Sequence, residues 1–418
     1  KTADTQKTGF FGKSEAKVDD NLVGDVVKMI LVEAVRMRAS DIHLEPQASH
    51  LRVRFRIDGL LEEVLQIPHS LNMRVVSNVR VTCGLDPERS VGGGGKPEDA
   101  RTTVTLDGRP ADLRLSTFPT THGDKAVLRM MSRAARIASL AEIGLDEASV
   151  AVMRGLITHP QGLIIATGPT GSGKSTTLHA CLEALNDSTL NIVTLEDPIE
   201  LEVAGVTQGL LQPKQGFGFP EGLRAVLRQD PNVIMVGEIR DRETAEIALS
   251  AALTGHLLLT TLHTVNAVGA VNRLLDMGME PFLVASALTA ATAQRLVRAV
   301  CKSCSQPYTP TPEQLAELET RTRKAGVVIP AGLALKFRAG KGCASCRGTG
   351  YYGRVLLFEI LVATPALREA ILNKGSVDEL RNVAGRGGLQ PLLLDGLRKA
   401  GDGRTTLSEI LRVVDATD

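Results

Sequence analysis

The sequence predicts an α/β chain in two parts: an α+β domain, then a parallel β-sheet wound with helices. Three observations carry that reading. Residues 51–57 (LRVRFRI) alternate strictly between apolar residues and arginine, the pattern of a strand with one buried face. From about residue 149 the apolar runs GLIIATG, NIVTLED, NVIMVGE and HLLLTTLH alternate with helical stretches such as STTLHACLEALN, which implies crossover connections. GLIIATG then runs directly into GPTGSGKST (168–176), a glycine-rich loop that opens a helix.

In chain order, residues 1–20 are polar, and the opening KTADTQK lacks Met, so the chain is expected to be a piece of a longer protein. Residues 22–38 (LVGDVVKMILVEAVRMR) repeat apolar positions at helical spacing after Asp20 and Asn21. The strand 51–57 meets an Asp58–Gly59 turn, with LLEEVLQI as its return strand, and a second hairpin is expected at 102–118 around DGRP. The run Gly92–Gly95 is too flexible for an element interior and reads as a loop. The expected parts are therefore an α+β domain over 21–134, a linker over 135–148, a parallel-sheet domain over 149–300, a cysteine-rich insertion over 301–353 and a helical tail over 354–418.

Composition narrows the function. Of 418 residues, 43% are hydrophobic, enough for large cores, while aromatics are 3% and Trp is absent, which argues against stacking platforms for bases. A net charge of +1 gives no global pull toward DNA or an anionic membrane, so no nucleic-acid partner is expected. No apolar run approaches the roughly 18 residues that span a bilayer.

The loop at 168–176 matches G-x-x-x-x-G-K-[ST] in the context that gives the motif meaning, a strand before it and a helix after it. Gly168, Gly171 and Gly173 let the backbone wrap closely, so that successive N–H groups of the loop (Gly168, Thr170, Ser172 and on to Thr176, with Pro169 shaping the turn but donating nothing) and the helix N-terminus cradle phosphate oxygens. Lys174 would meet the β- and γ-phosphates, and Ser175 would ligate Mg²⁺. In an open parallel sheet, ligands sit at the carboxyl ends of the strands. NIVTLED ends in Glu196 and Asp197, NVIMVGE in Glu238, and HLLLTTLH in His263, with His256 at its entry. The position before Glu238, where such strands usually carry Asp, is Gly237. Glu238 can orient or deprotonate the attacking water, with Glu196 or Asp197 standing in for the missing Asp. Arg224 and Arg228 are four apart on one helical face, Arg240 follows Glu238, and Arg273 lies in VNRLLDMG. Such arginines either pair with surface carboxylates or reach phosphate, within or between subunits.

Cys301, Cys304, Cys343 and Cys346 form two C-x-x-C pairs, a pattern that favours a structural zinc site over a disulfide, with a redox dithiol as the alternative. Cys83 and Cys181 read as small core residues.

Together ASDIHLEP (39–46), RFRIDG (54–59), LRLSTFPTTHGDKAVLR (113–129), the glycine-rich loop, TLEDPIE (194–200), LRQDPNVIMVGEIRD (227–241), TGHLLLTTLHT (254–264) and AQRLVRAVCKSC (293–304) resemble the secretion ATPases of type II secretion and type IV pilus assembly. The resemblance covers nearly the whole chain. It implies a PAS-like N-terminal domain joined by a mobile linker to a RecA-like ATPase domain, ATP and Mg²⁺ at the loop, and glutamate as the catalytic residue of an atypical strand. It also implies a homo-hexamer, cytoplasmic and peripheral at the inner membrane, engaging a platform protein through a region preceding this chain. By motif match it implies that Arg114 and Arg129 clamp the nucleotide from the N-terminal domain. SVGGGGKPEDAR (90–101) departs from the P-Q-D-G-R pattern of relatives, although Arg101 survives. The four-cysteine module and the segment 266–288 lean toward type II secretion rather than pilus assembly. A nucleic-acid motor and a nucleotide-gated scaffold are the competing classes; the first is opposed by the composition, the second by Glu238.

Overall fold

The computed structural model describes residues 20–87, 96–131, 137–330, 333 and 335–415. The polar segment 1–19 and the Gly92–Gly95 loop lie outside them. The chain divides into two units, Lys1–Arg133 and Ala134–Asp418.

In the first unit, six strands form one antiparallel sheet: β1 Asp41–Pro46, β2 His50–Ile57, β3 Leu60–Pro68, β4 Glu98–Leu106, β5 Arg109–Thr120 and β6 Gly123–Met131, in the order β3-β2-β1-β6-β5-β4. The expected hairpins are present. Asp58 and Gly59 both have positive φ (48° and 94°), as do Asp107 and Gly108 (48° and 75°), the conformation that a tight two-residue hairpin turn requires. Along β2 burial alternates strictly: Leu51, Val53, Phe55 and Ile57 are buried, and the arginines between them are half-exposed. The buried face is covered by helices Asp20–Arg36 and Asn72–Thr82, whose Val27, Ile30, Ala34, Val75 and Val79 join Leu44, Phe55 and Leu115 in one core. The opposite face carries many charged residues, among them Asp41, Glu45, Arg54, Arg56, Arg114 and Arg129.

In the second unit the strands are β7 Gly162–Thr167, β8 Ile192–Glu196, β9 Thr207–Leu210, β10 Val233–Val236, β11 Leu257–Leu262, β12 Leu288–Val300, β13 Ser305–Pro307, β14 Arg338–Gly340 and β15 Tyr351–Val362. Seven form a sheet in the order β15-β12-β7-β11-β10-β8-β9; all neighbours are parallel except β15, which pairs antiparallel with β12. Strands β7, β8, β10 and β11 are buried throughout, because helices cover both faces. Ile164, Met235 and Leu259 pack against helix Lys174–Leu185 on one side. Leu163, Ile234 and Leu258 pack with helices Arg242–Leu253 and Ala267–Asp276 on the other.

Two expectations are corrected here. The start of the expected helical tail is strand: Tyr351–Val362 carries the apolar run VLLFEILV, which completes the sheet beside β12 before the helices begin at Pro365. Within the expected linker, Leu140 and Leu145 are buried in the core of the second unit with Met153 and Leu156. Among the described residues no helix is long and apolar enough to cross a membrane.

Candidate functional site

Register places the ends of the parallel strands together. Thr167, the last residue of β7, pairs with Leu262 of β11 and Ala293 of β12; Val236 of β10 pairs with Leu195 of β8. The residues immediately beyond, Gly168, Glu196, Gly237, Glu238 and His263, therefore share one edge, where an open α/β sheet binds its ligand.

The loop after β7 is shaped by close approach. Gly168, Gly171 and Gly173 have φ of 144°, 78° and 95°. A Cβ on Gly168 would lie 2.6 Å from the carbonyl oxygen of Gln294 and 2.7 Å from Ser172 Oγ, so no other residue fits without displacing backbone. The Gln294 side chain supports the loop from β12, donating from Nε2 to the Ser172 carbonyl at 3.0 Å. Lys174 begins the helix Lys174–Leu185 and is only 8% exposed. Its ammonium donates to the carbonyls of Gly168 (2.9 Å) and Pro169 (3.1 Å). Burial lowers its pKa, Glu238 opposes that shift, and Arg295 adds to it. A cation held at such a cost to its charge is stabilised by anionic oxygens arriving at the loop.

Glu238 lies beyond β10, ion-paired with Arg240 and 3.4 Å from His263 Nε2. Gly237 stands where an Asp is usual, and it packs closely against β8. Its N–H donates to the Leu195 carbonyl at 2.8 Å, and a Cβ there would stand 3.2 Å from that oxygen and 3.7 Å from the Phe219 ring. A side chain there would have to push β8 back by a few tenths of an ångström. Thr261 Oγ1 donates to the Gly237 carbonyl at 2.7 Å and so ties the turn to β11.

Glu196 turns inward. Its Oε1 accepts from Thr194 Oγ1 (2.7 Å) and Gln208 Nε2 (2.9 Å), and its Oε2 lies 3.5 Å from His179 Nε2. The other ring nitrogen of His179 sits 2.8 Å from the Ser175 carbonyl, an acceptor, so it carries a proton there. Burial opposes charge on both partners, yet their mutual attraction holds Glu196 below and His179 above their ordinary values. Of the two carboxylates expected to stand in for the missing Asp, Glu196 is thus engaged in a wall behind the loop, and Asp197 is exposed at the edge. The Ser175 hydroxyl and the carboxylates of Asp197 and Glu238, which follow strand ends at this edge, are oxygen donors of the type that suits a hard cation such as Mg²⁺.

Away from the edge, the four cysteines converge, with sulfurs all within 4.8 Å of one another. Sγ–Sγ distances are 3.8 Å for Cys301–Cys343, 3.8 Å for Cys304–Cys346 and 3.7 Å for Cys343–Cys346. A tetrahedron of Zn–S bonds of about 2.3 Å sets its sulfurs about 3.8 Å apart, whereas a disulfide brings them to about 2.05 Å. The Cys343 and Gly350 amides point at Cys346 Sγ from 3.2 and 3.3 Å. Burial opposes ionisation of Cys346, but these amides hold its pKa down to about 6, while burial and neighbouring thiols push Cys304 up to about 12. Four thiols this close share protons unless a dication compensates the thiolates. The cluster is compatible with zinc.

The family of type II/IV secretion system proteins, T2SSE, matches residues 16–412. The chain belongs to that family. It is 44% identical over 396 residues to the type II secretion system protein E of Pseudomonas aeruginosa, covering 94% of this chain and 76% of that one. It is 41% identical to the type IV pilus assembly ATPase PilB of Myxococcus xanthus, covering 94% and 68%. Its fold matches the ATPase DotB of Legionella pneumophila (TM-score 0.67, 22% identity, 93% and 94% covered). It also matches the pilus retraction motor PilT with bound ADP (TM-score 0.60, 26% identity, 92% and 96% covered).

Other expected residues lie elsewhere in this family fold. His256 sits at the opposite end of β11, roughly 20 Å along the strand from His263; its Nδ1 is 3.0 Å from the Ala251 carbonyl, capping the helix Arg242–Leu253. Its expected place in the site is corrected accordingly. Arg224 and Arg228 end the segment that runs back to the start of β10: Arg224 pairs with Glu243, and Arg228 Nη1 donates to the Arg224 carbonyl at 2.8 Å. Arg273 is exposed in the last turn of the helix Ala267–Asp276. None of these three is at its own chain's loop edge. Arg114 and Arg129 face each other across β5 and β6 of the first unit. The sequence reading did not single out Gln294, His179 or Thr264, whose backbone N–H donates to Thr167 Oγ1 at 2.8 Å. His179 had a signal, since it stands one helical turn after Ser175; Gln294 had none short of knowing that β12 neighbours β7.

Proposed function

We propose that this chain is the motor portion of a hexameric ATPase that powers pseudopilus assembly and protein export in type II secretion. The observation that carries the reading is the juxtaposition of a buried Lys174 at the phosphate loop with Glu238 at the adjoining strand end. Gly168 to Thr176 cradle the triphosphate, and Lys174 exchanges its backbone carbonyls for phosphate oxygens. Mg²⁺, when bound, supplies charge neutralisation of the phosphates, and Ser175 with Asp197 is the chain's means of holding it, directly or through water. Glu238 orients the water or takes its proton, with His263 and Arg240 fixing the carboxylate. Arg114 and Arg129 of the first unit reach the phosphates, and Arg224, Arg228 and Arg273 either pair with surface carboxylates or reach phosphate within or between subunits. The four cysteines hold a structural zinc. The protein works in the cytoplasm at the inner membrane, through a platform protein bound by a region preceding this chain.

The 44% identity to a type II secretion protein E supports this reading, and the 41% identity to PilB supports the second, pilus assembly. Steady-state ATP turnover with mass measurement of the assembled species tests the motor. Restoration of export, rather than of pili, in strains lacking the corresponding gene separates the two readings.

A further inference from the structure

Across the open face of the first sheet runs a cross-strand row: Arg56 of β2, Asp41 of β1, Arg129 of β6, Arg114 of β5 and Arg101 of β4, each directly opposite the next. Directly opposed residues share a face, and like charges so placed repel. Four arginines therefore stand in line with a single carboxylate. That carboxylate is well built. Asp41 is 6% exposed; its Oδ1 accepts from Arg129 Nε at 3.0 Å, and its Oδ2 accepts from Ser40 Oγ at 2.8 Å and lies 3.4 Å from Arg56 Nε.

The choice of nitrogen is the informative part. A guanidinium has five N–H donors, and the terminal pair of nitrogens carries four of them. Asp41 engages Arg129 through Nε and, among the described residues, leaves the terminal edge, on a side chain 55% exposed, for two oxygens of an anion. Arg114 lies alongside in the row, and among the described residues its side chain has no hydrogen-bonded or ion-paired partner.

We propose that Asp41 is a positioning residue: by holding Nε of Arg129 it aims the terminal guanidinium edge outward beside Arg114, so that the pair meets phosphate oxygens already oriented. This rests on the reading that Arg114 and Arg129 clamp the nucleotide, and adds what keeps two like charges side by side before the nucleotide arrives. Without Asp41 the Arg129 side chain swings away from Arg114, and its ordering is left to the moment of reaction. Lysine cannot replace Arg129, because Asp41 would take its single charged nitrogen.

The test is a double-mutant cycle on ATP turnover in the whole assembled protein, with Asp41→Ala, Arg129→Ala and the pair. Nucleotide affinity and thermal unfolding are followed alongside, with Asp41→Asn as the shape-preserving variant should Asp41→Ala fold poorly. Expected are a loss of up to about 10²-fold for Asp41→Ala, unchanged nucleotide affinity, a double variant no slower than Arg129→Ala, and Arg129→Lys as slow as Arg129→Ala. If Arg129→Ala itself keeps full turnover, the clamp reading fails and the positioning role falls with it. If Arg129→Ala is slow but Asp41→Ala is not, or if their losses multiply, the clamp stands and Asp41 is only a structural ion pair.

Discussion

Strands β2 and β7 show two ways of putting chemistry on a sheet. Burial in β2 alternates, so every second side chain is available, and the outer face becomes an array of charges: Arg52, Arg54 and Arg56 against Glu45 and Asp41. Strand β7 is buried along its whole length and can offer nothing until it ends. Its function is displaced into the loop beyond Thr167, as it is for β10 beyond Val236 and β11 beyond Leu262. A half-covered antiparallel sheet works from its face; a parallel sheet covered on both sides works from its edge. Partnering differs as well. At the edge a lone carboxylate such as Glu238 sits between one arginine and one histidine, while on the face Asp41 sits between two arginines of neighbouring strands.

The comparison predicts different losses when each surface is damaged. The largest belongs to the face: Arg114→Ala should retain nucleotide binding and lose turnover by about 10³–10⁵-fold, the range for arginines that neutralise phosphoryl-transfer charge. At the edge Glu238→Gln should bind nucleotide normally and lose about 10²–10⁴-fold, as for removal of a general base, whereas Lys174→Ala should lose binding itself. Equilibrium binding of a fluorescent nucleotide and single-turnover hydrolysis, measured on all three variants, separate the classes. Wild-type-like turnover in Glu238→Gln would remove the water-activating role from the edge.

The cysteine cluster lies beyond β12 and belongs to neither surface, which makes it a control. Its metal should be one zinc per chain by elemental analysis. Replacing Cys346 with Ser should loosen residues 301–353 and leave nucleotide affinity within about twofold, since the loop and Lys174 are held by other strands. Protein purified without chelator and found free of metal would count against zinc, and lost nucleotide affinity would count against the separateness.

Much of the division between face and edge was legible in the sequence. LRVRFRI announces an alternating strand, and four apolar runs with polar ends announce an edge. The misses have local and long-range causes. The helix Asn72–Thr82 buries Val75, Val76 and Val79 at helical spacing, but valine-rich composition masks that period. The strand Tyr351–Val362 follows the cysteine module and pairs with β12 across more than fifty residues, a contact no local pattern reports. His256 stands at the entry of HLLLTTLH, and the parallel register puts that entry at the end of β11 away from the loop, so counting it with the site set its strand position aside. Glu196 looked free because its partners Gln208 and His179 come from different elements.

The smallest expected effect compares how each unit stores acid sensitivity. Burial would raise the pKa of Glu45, but Arg54, Lys125 and Arg52 hold it at about 2; Glu409 in the second unit is likewise held at about 2 against burial by Arg412 and Arg298. Each folded value lies below the ordinary carboxylate value of 4.5. The stabilisation is therefore present in full above about pH 4.5 and is lost as pH falls toward 2. Both units should weaken over the same acid window, the first through the face of its sheet and the second through the strand-to-helix contact of Arg298 with Glu409. Glu45→Gln should destabilise the first unit at neutral pH, because Arg52, Arg54 and Lys125 then repel one another around a neutral amide. Its deficit relative to wild type should shrink as pH drops through the window, since protons there bind the carboxyl of unfolded wild type, whose pKa is ordinary, and so erode the advantage of the folded ion pairs. Amide hydrogen exchange on β1 and β2, followed from pH 6 to pH 3 with intrinsic rates corrected, reads that difference directly. A deficit that stays constant down to pH 3 would mean that the Glu45→Gln variant fails for reasons of packing, and the charge array on the face would then lose its claim to stabilise the sheet.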